Sequence, residues 1–197
     1  MAEQADYTYD GFLIVDGKLI DYKGKEKDLV VPDGVKKIGK YAIPHSTEKL
    51  YLPESVEEID PFAFSNAWDM QVLLVAEGNP RFYSRDNCII ERASKKIIKG
   101  TRLSVIPHDG SVTTIGTGAF SDLDTCKMCI RNCITTIESR AFGYGTDVTL
   151  YIEAKEKPAG WADDWDDGCG LLWEETDWEG GCSGLLLEWG AEFEDDD

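Results

Sequence analysis

Short runs of alternating hydrophobic residues return along the chain at a nearly constant spacing. The clearest copy spans residues 50–64, LYLPESVEEIDPFAF. Its apolar positions are Leu50, Leu52, Val56, Ile59 and the Ala63-Phe64 pair. Leucines two residues apart are typical of a β-strand, because successive side chains of a strand point to opposite faces. Pro53 has no N–H to donate to a sheet, so the pattern predicts a short strand that ends there.

Further copies of this pattern lie upstream and downstream. Val35 precedes Val56 by 21 residues, and Val112 precedes Ile134 by 22. The leading residues of the predicted strands are Leu29, Leu50, Leu73, Met128 and Leu150, and a looser copy begins at Val105. One unit of this size cannot bury its apolar side alone and needs neighbours of the same shape stacked on it. The period therefore predicts a mostly β solenoid whose leucines meet inside one parallel stack.

The end of the repeat resembles the BspA-like leucine-rich repeat. The resemblance lies in Ile115-Gly116-Thr117-Gly118-Ala119-Phe120 and in Ile38-Gly39, and it covers about residues 11–161. It implies a curved, right-handed leucine-rich repeat solenoid with a parallel sheet on its concave face. It also implies a surface-exposed or secreted binding protein without an enzymatic site, so no catalytic residue is carried over.

Two segments break the repeat and predict inserted hairpins. Residues 12–20 contain Asp16-Gly17, which supplies the positive φ angles of a type I′ turn between two strands. Residues 82–84, 88–91 and 96–99 predict a meander, which we interpret as structural packing. We expect a solenoid with an N-terminal hairpin cap over residues 1–158 and a Trp-rich, acidic C-terminal cap and tail over residues 159–197.

Charge is distributed unevenly along the 197 residues. The net charge is −18, yet the chain from residue 159 onward holds 14 acidic residues and no Lys or Arg, which leaves 24 acids and 20 bases before it. A nearly neutral solenoid with an acidic tail excludes nucleic acid as the expected partner, because phosphate binding needs basic patches. No apolar run approaches a membrane span, so we expect no membrane insertion. The given chain has no signal peptide, which favours the cytoplasm, whereas the resemblance favours the cell surface or secretion.

Alternation within the predicted strands places one set of side chains on the sheet's outer face. The candidate binding residues there are Lys49, Tyr51, Leu74, Lys127, Arg131 and Tyr151. Aromatic anchors beside charges are typical of a protein-binding patch. The leading hypothesis is therefore a non-enzymatic module that binds a protein or a surface ligand through this face. Isolated exposed apolar residues are also ordinary, so a structural repeat domain without a specific ligand stays an alternative.

A cluster of cysteines offers a second alternative, a cysteine- or metal-dependent activity. Cys126, Cys129 and Cys133 are close in sequence, but an i, i+3 pair in an extended strand points to opposite faces and chelates poorly. We expect no metal, no cofactor and no catalytic residue, since no nucleophile or phosphate-loop motif is present. Cys169 with Cys182 is the first pair to test for a disulfide if the protein is secreted. The aspartates of residues 163–167 lack the spacing of an EF-hand calcium loop.

Overall fold

The computed structural model describes residues 7–8, 10–167 and 185–193. These residues form strands and turns and contain no helix. The strands are β1 (Phe12–Val15), β2 (Lys18–Tyr22), β3 (Asp28–Val30), β4 (Lys37–Ile38), β5 (Lys49–Leu52), β6 (Glu58–Ile59), β7 (Val72–Val75), β8 (Phe82–Arg85), β9 (Cys88–Glu91), β10 (Lys96–Lys99), β11 (Thr114–Ile115), β12 (Asp124–Ile130), β13 (Thr136–Ile137), β14 (Thr146–Ile152) and β15 (Leu185–Trp189).

The repeated Leu-x-Leu segments form two parallel ladders. The first ladder runs β3-β5-β7 and pairs Leu29 with Leu50 and Leu50 with Leu73. The second ladder runs β12-β14-β15 and pairs Met128 with Leu150. These paired residues are almost fully buried, which confirms the predicted stack of coils. The parallel strands form two separate ladders, however, and not the one stack that the period predicts. We call the side opposite the buried leucines the outer face of each ladder.

Short strands that end at Ile38, Ile59, Ile115 and Ile137 belong to a second set of sheets. There the two-residue strands β4 and β6 extend the hairpin β1–β2, and β11 and β13 extend the meander β8–β9–β10. Gly39 follows β4, and a Cβ there would lie 2.6 Å from the carbonyl oxygen of Leu19 in β2. A Cβ on Gly116 would likewise lie 2.7 Å from the carbonyl oxygen of Ile97 in β10. Glycine thus follows the isoleucine where a coil packs against a hairpin strand, because no side chain fits that approach.

Both hairpin predictions are confirmed. The β1–β2 turn has φ angles of 49° at Asp16 and 74° at Gly17, and the β8–β9 turn has 50° at Asp86 and 61° at Asn87. Two positive φ angles in succession are those of a type I′ turn, whose twist matches the flanking strands. Strands β8, β9 and β10 lie where the meander was predicted.

The buried residues that the structure describes form two hydrophobic clusters, which meet along the meander. Ile89 belongs to the cluster built around the first ladder, whereas Cys88 and Ile90 belong to the cluster built around the second. Because both faces of β9 are buried, the meander forms a shared wall inside the stack. It is therefore part of the core and not an appendage.

Aromatic packing continues past the last repeat predicted from sequence. The rings of Phe120 and Phe142 stack with centroids 5.2 Å apart, and Trp165 packs edge-on against Phe142 at 5.7 Å. Trp161 and Trp165 are both buried, and β15 continues the second ladder beyond β14. The handedness of the coil, the terminal caps and the boundary at residue 158 stay predictions. Cys169 and Cys182 lie outside the described residues.

Candidate binding surface

A row of exposed apolar side chains crosses the outer face of the first ladder. Val30, Tyr51 and Leu74 occupy the same register position in β3, β5 and β7. Their exposed fractions are 60%, 37% and 48%, although both sequence neighbours of Tyr51 in the strand alternation, Leu50 and Leu52, are fully buried. The pleat that buries the leucines therefore forces this row outward, and the hydrogen-bonded strands fix its spacing.

Ion pairs flank this row at one end. Lys49 Nζ lies 2.9 Å from Asp28 Oδ2 on the neighbouring strand, and Lys27 pairs with Glu48 in the preceding turn. The hydrogen bond to Asp28 raises the pKa of Lys49. Such exposed pairs stabilise a fold little. Their consequence is that the predicted site residue Lys49 is matched by an acid, so this margin of the row carries little net charge.

The second ladder presents a more polar outer face. Cys129 and Tyr151 are in register, as are Lys127 and Thr149, and β15 adds Leu186 beside Thr149. Leu186 is 50% exposed, Lys127 and Cys129 are exposed, and Tyr151 is half-buried. This face thus combines an aromatic ring, an aliphatic side chain and a cation.

The C-terminal segment contributes to this second face. The guanidinium of Arg131 lies 4.1 Å from the ring centroid of Phe193, a cation–π contact. Neither Leu186 nor Phe193 was a candidate from sequence. The signal that points to Leu186 is the leucine pair at 185 and 187, which has the spacing of Leu50 and Leu52.

The six candidate residues therefore fall into two groups of three. Lys49, Tyr51 and Leu74 lie in the first ladder, and Lys127, Arg131 and Tyr151 lie in or directly after strands of the second. The ladders are separate sheets. The structure brings the residues together within each group and does not join the groups into one sheet.

The turn between β8 and β9 explains where the first ladder stops. Asn87 Oδ1 accepts the N–H of Leu73 at 2.9 Å, and Asn87 Nδ2 donates to the carbonyl oxygen of Gln71 at 2.6 Å. Ser84 Oγ accepts the N–H of Val75 at 3.1 Å. These side chains occupy the edge of β7 that another strand would otherwise pair with. We call this arrangement the Asn87 clamp.

The chain after the meander lies on the other side of the same turn. Val105 N–H donates to the carbonyl oxygen of Asp86 at 3.0 Å, and Ser104 Oγ donates to that of Asn87 at 2.6 Å. Val105 is 61% exposed between buried Ser104 and Ile106, as Tyr51 is between its leucines. The looser copy predicted there keeps the burial pattern of a repeat strand without joining a ladder.

Comparisons with known proteins agree with this architecture. The model of the BspA type leucine-rich repeat region matches six copies over residues 21–83 and 90–155. The chain belongs to the BspA-type leucine-rich repeat family. A search of the curated proteins gave no significant match.

Two solved structures are similar to this BspA-type chain. A leucine-rich repeat protein from Eubacterium ventriosum is 18% identical with a TM-score of 0.50, and the alignment covers 66% of this chain and 44% of that protein. A leucine rich cell surface protein from Faecalibacterium prausnitzii is 17% identical with a TM-score of 0.48, over 70% and 50% of the two chains. The chain therefore spans half or less of the length of these proteins. The first likeness supports the fold.

The four described cysteines of this BspA-type chain differ in their exposure. Cys126 is buried and Cys129, three residues later in β12, is exposed, as the strand alternation requires. Burial raises the pKa of Cys88 to about 12 and that of Cys126 to about 11, and it raises the pKa of Cys133 as well. Raised values suppress the thiolate, which is the nucleophilic and metal-binding form. Over the described residues, no three His, Cys, Asp or Glu side chains form a group suited to a metal ion.

Three of the four aspartates in residues 163–167 contact other side chains. Asp163 pairs with Lys157, Asp164 Oδ2 accepts the Ser139 hydroxyl at 2.6 Å, and Asp167 lies 3.6 Å from Arg140.

The described part of the chain holds no helix with the length and apolar character of a membrane span.

Proposed function

We propose that this BspA-type chain is a non-enzymatic binding module that engages a protein or surface ligand through the outer face of its first ladder. The observation that carries the proposal is the in-register row of Val30, Tyr51 and Leu74, exposed on three hydrogen-bonded strands. Rigid, exposed aromatic and aliphatic side chains of this kind serve as anchors, because they bury apolar area on binding without first having to be ordered.

The composition around the row supports a protein or similarly mixed ligand. Lys49 and Asp28 are matched across the strands, so the margin offers one donor group and one acceptor group instead of a field of one sign. Interfaces of proteins combine such polar rims with an apolar centre. In the second ladder, Lys127, Arg131 and Tyr151 offer a further contact area for a ligand long enough to reach it.

A cell-surface or secreted location is part of this proposal, and it follows from the family resemblance. Burial raises the pKa of the Cys126 and Cys133 thiols, which disfavours a cysteine-dependent activity at these two residues.

Site-specific photo-crosslinking tests the face directly. A photoreactive p-benzoylphenylalanine replaces Tyr51 in one variant and Ile20 in a control, because both residues are 37% exposed but Ile20 lies in the N-terminal hairpin. Each variant is mixed with an extract of the native cells and of the medium around them, and the mixture is irradiated. Covalent adducts are then identified by mass spectrometry. We expect a reproducible partner from position 51 that position 20 does not capture.

A competition experiment tests whether Tyr51 and Leu74 contribute to binding of the partner. Unlabelled wild-type protein should suppress the adduct, and the Tyr51→Ala, Leu74→Ala double variant should not, while its thermal unfolding stays close to that of wild type. The same adducts from positions 20 and 51, or full competition by a folded double variant, would contradict the proposed face.

A further inference from the structure

A second surface is built by the residue that precedes the alanine of each repeat. In successive coils this position holds Tyr41, Phe62, Gly118 and Arg140, and Asp164, which precedes Trp165 instead of an alanine, takes the same place after the last repeat. Tyr41 N–H donates to the carbonyl oxygen of Phe62 at 3.0 Å, and Gly118 N–H donates to that of Arg140 at 3.2 Å. Arg140 N–H in turn donates to that of Asp164 at 2.8 Å. We call this series the turn column.

The turn column crosses the junction between the two halves of the molecule. A Cβ placed on Gly118 would lie 3.9 Å from the carbonyl oxygen of Pro61, so the coil of Phe62 adjoins the coil of Gly118. The meander, which separates the ladders, does not separate the coils on this side. Residues far apart in sequence therefore meet here.

Gly118 leaves a gap in the middle of the column. The gap opens into a cleft of about 500 Å³ with Tyr41 and Phe62 on one side and Arg140 and Tyr144 on the other. The exposed fractions of Tyr41, Phe62 and Tyr144 are 48%, 45% and 59%. A cleft of this volume falls within the range that small-ligand sites occupy.

The backbone does not demand glycine at this position. Gly118 has a φ of 65°, but Tyr41 and Arg140 hold φ angles of 60° and 53° at the same place in their coils. The nearest atom to a Cβ on Gly118 would be Ser121 Oγ at 3.6 Å, an ordinary contact distance. Glycine thus opens the cleft without being required by the fold.

The walls combine aromatic faces with fixed polar groups. Lys40 Nζ lies 4.8 Å from the ring centroids of both Tyr41 and Phe62, which ties the two rings to one cation. On the far side, Asp164 Oδ2 is 2.6 Å from the Ser139 hydroxyl, and Arg140 is paired with Asp167. A carboxylate acceptor and a guanidinium donor therefore stand next to each other beside the rings.

We propose that this cleft binds a neutral oligosaccharide. A sugar ring presents an apolar face of C–H groups that packs on an aromatic ring, and hydroxyls at its edge that donate to Asp164 and accept from Arg140. A proline-rich peptide would also pack on the rings. However, its prolines lack N–H groups, so it would offer Asp164 no donor beyond the Ser139 hydroxyl that the carboxylate already accepts. Cations and carboxylates both lie around the cleft, which favours a ligand without net charge.

Calorimetric titration of the full chain tests the proposal. The probes are neutral hexasaccharides of β-1,4-glucan, α-1,4-glucan, xylan, mannan and chitin, together with a decaproline peptide. We expect at least one saccharide to bind with a Kd below about 1 mM. Gly118→Tyr fills the cleft with a tyrosine, the residue that Tyr41 places at the same position of its own coil. This variant should weaken that binding at least about tenfold, as should Phe62→Ala and Tyr144→Ala. Ile20→Ala, outside the cleft, should leave the Kd unchanged.

Circular dichroism and thermal unfolding of each variant establish that it is folded. If Gly118→Tyr does not fold, Phe62→Ala and Tyr144→Ala decide, because they remove only exposed rings. Failure of every saccharide to bind the wild-type chain overturns the proposal. Equal binding by wild type and the folded cleft variants also overturns it, and binding of decaproline alone assigns the cleft to a peptide instead.

Discussion

The side chain of Lys99 is buried although it ends a strand that begins with a partly exposed lysine. Lys99 is 4% exposed, and its Nζ donates to the carbonyl oxygen of Ser121 at 3.3 Å. Burial lowers the pKa of Lys99 to about 8, with the nearby Asp122 acting in the opposite direction. The desolvation of the ammonium therefore outweighs its attraction to the carboxylate.

We expect the stability of the wild-type protein to rise, relative to a Lys99→Met variant, between about pH 8 and about pH 10.5. In this range the unfolded chain holds a proton on Lys99 that the folded chain has released, so the free energy of unfolding increases with pH. The relative gain should be about 1–3 kcal/mol, since one pKa unit corresponds to about 1.4 kcal/mol. Urea unfolding of both proteins at several pH values measures it. Parallel stability curves would show that Lys99 does not titrate in this way.

The Asn87 clamp shows how one hairpin turn can end a parallel sheet. Asn87 contacts the edge of β7 through Leu73 and Gln71, and its Nδ2 also lies 2.7 Å from Thr101 Oγ1 on the following segment. The N-terminal hairpin has Gly17 at the same turn position and makes no such contact through a side chain. The two hairpins thus share a turn geometry, but only the β8–β9 turn binds the edge of a neighbouring strand through this side chain.

Replacing Asn87 by glycine separates these two roles. Asn87→Gly keeps a residue that adopts positive φ freely, while removing three side-chain hydrogen bonds, so it should lower the free energy of unfolding by about 2–4 kcal/mol. It should also expose the edge of β7 and promote self-association, which light scattering detects. The reverse exchange, Gly17→Asn, is the matched control and should change stability by less than about 0.5 kcal/mol. Equal stability of Asn87→Gly and wild type would contradict the clamp.

Sequence was sufficient for the elements whose pattern is local. Hairpin β1–β2, the meander and the strands beginning near Leu29, Leu50 and Leu73 follow from alternation and turn residues, and the structure has them in those places. The two-residue strands such as β4 were not predicted, because two residues are too short to show a period. The segment at Val105 stays outside the ladder because Asp86 takes its N–H, a tertiary contact that no local pattern reveals.

The candidate site was predictable to a similar extent. Alternation placed Tyr51 and Leu74 on the exposed side, and they are exposed and in register. The division of the six residues between two ladders was not predictable, since it depends on how the meander enters the stack. The turn column was also missed, because it needs the coils aligned in space before Phe62 and Arg140 become neighbours of one cleft.

At the scale of the whole molecule, the two cores share the meander, and β9 is its most deeply buried strand. Ile89 faces the cluster of the first ladder and Ile90 faces that of the second, and neither has any exposed surface. In stacked repeats, stability is nearly the sum of the units and their interfaces. The meander, with β9 buried on both faces, is therefore where we expect loss of one core to reach the other.

Truncating either isoleucine should distinguish the two cores. We expect Ile89→Ala and Ile90→Ala each to cost about 2–4 kcal/mol, because each leaves a cavity beside β9. Amide hydrogen exchange should then accelerate mainly over residues 12–75 for Ile89→Ala and mainly over residues 106–152 for Ile90→Ala. The same exchange pattern in both variants would show that the two clusters open as one unit.

The measurement that tests the binding account most directly is hydrogen exchange of the full chain with and without the partner captured at position 51. We expect protection on binding to concentrate in the peptides that contain β3, β5 and β7, and the hairpin β1–β2 to be unaffected. Protection confined to other segments, or none at saturating partner, would contradict the claim that the outer face of the first ladder is where this repeat protein binds.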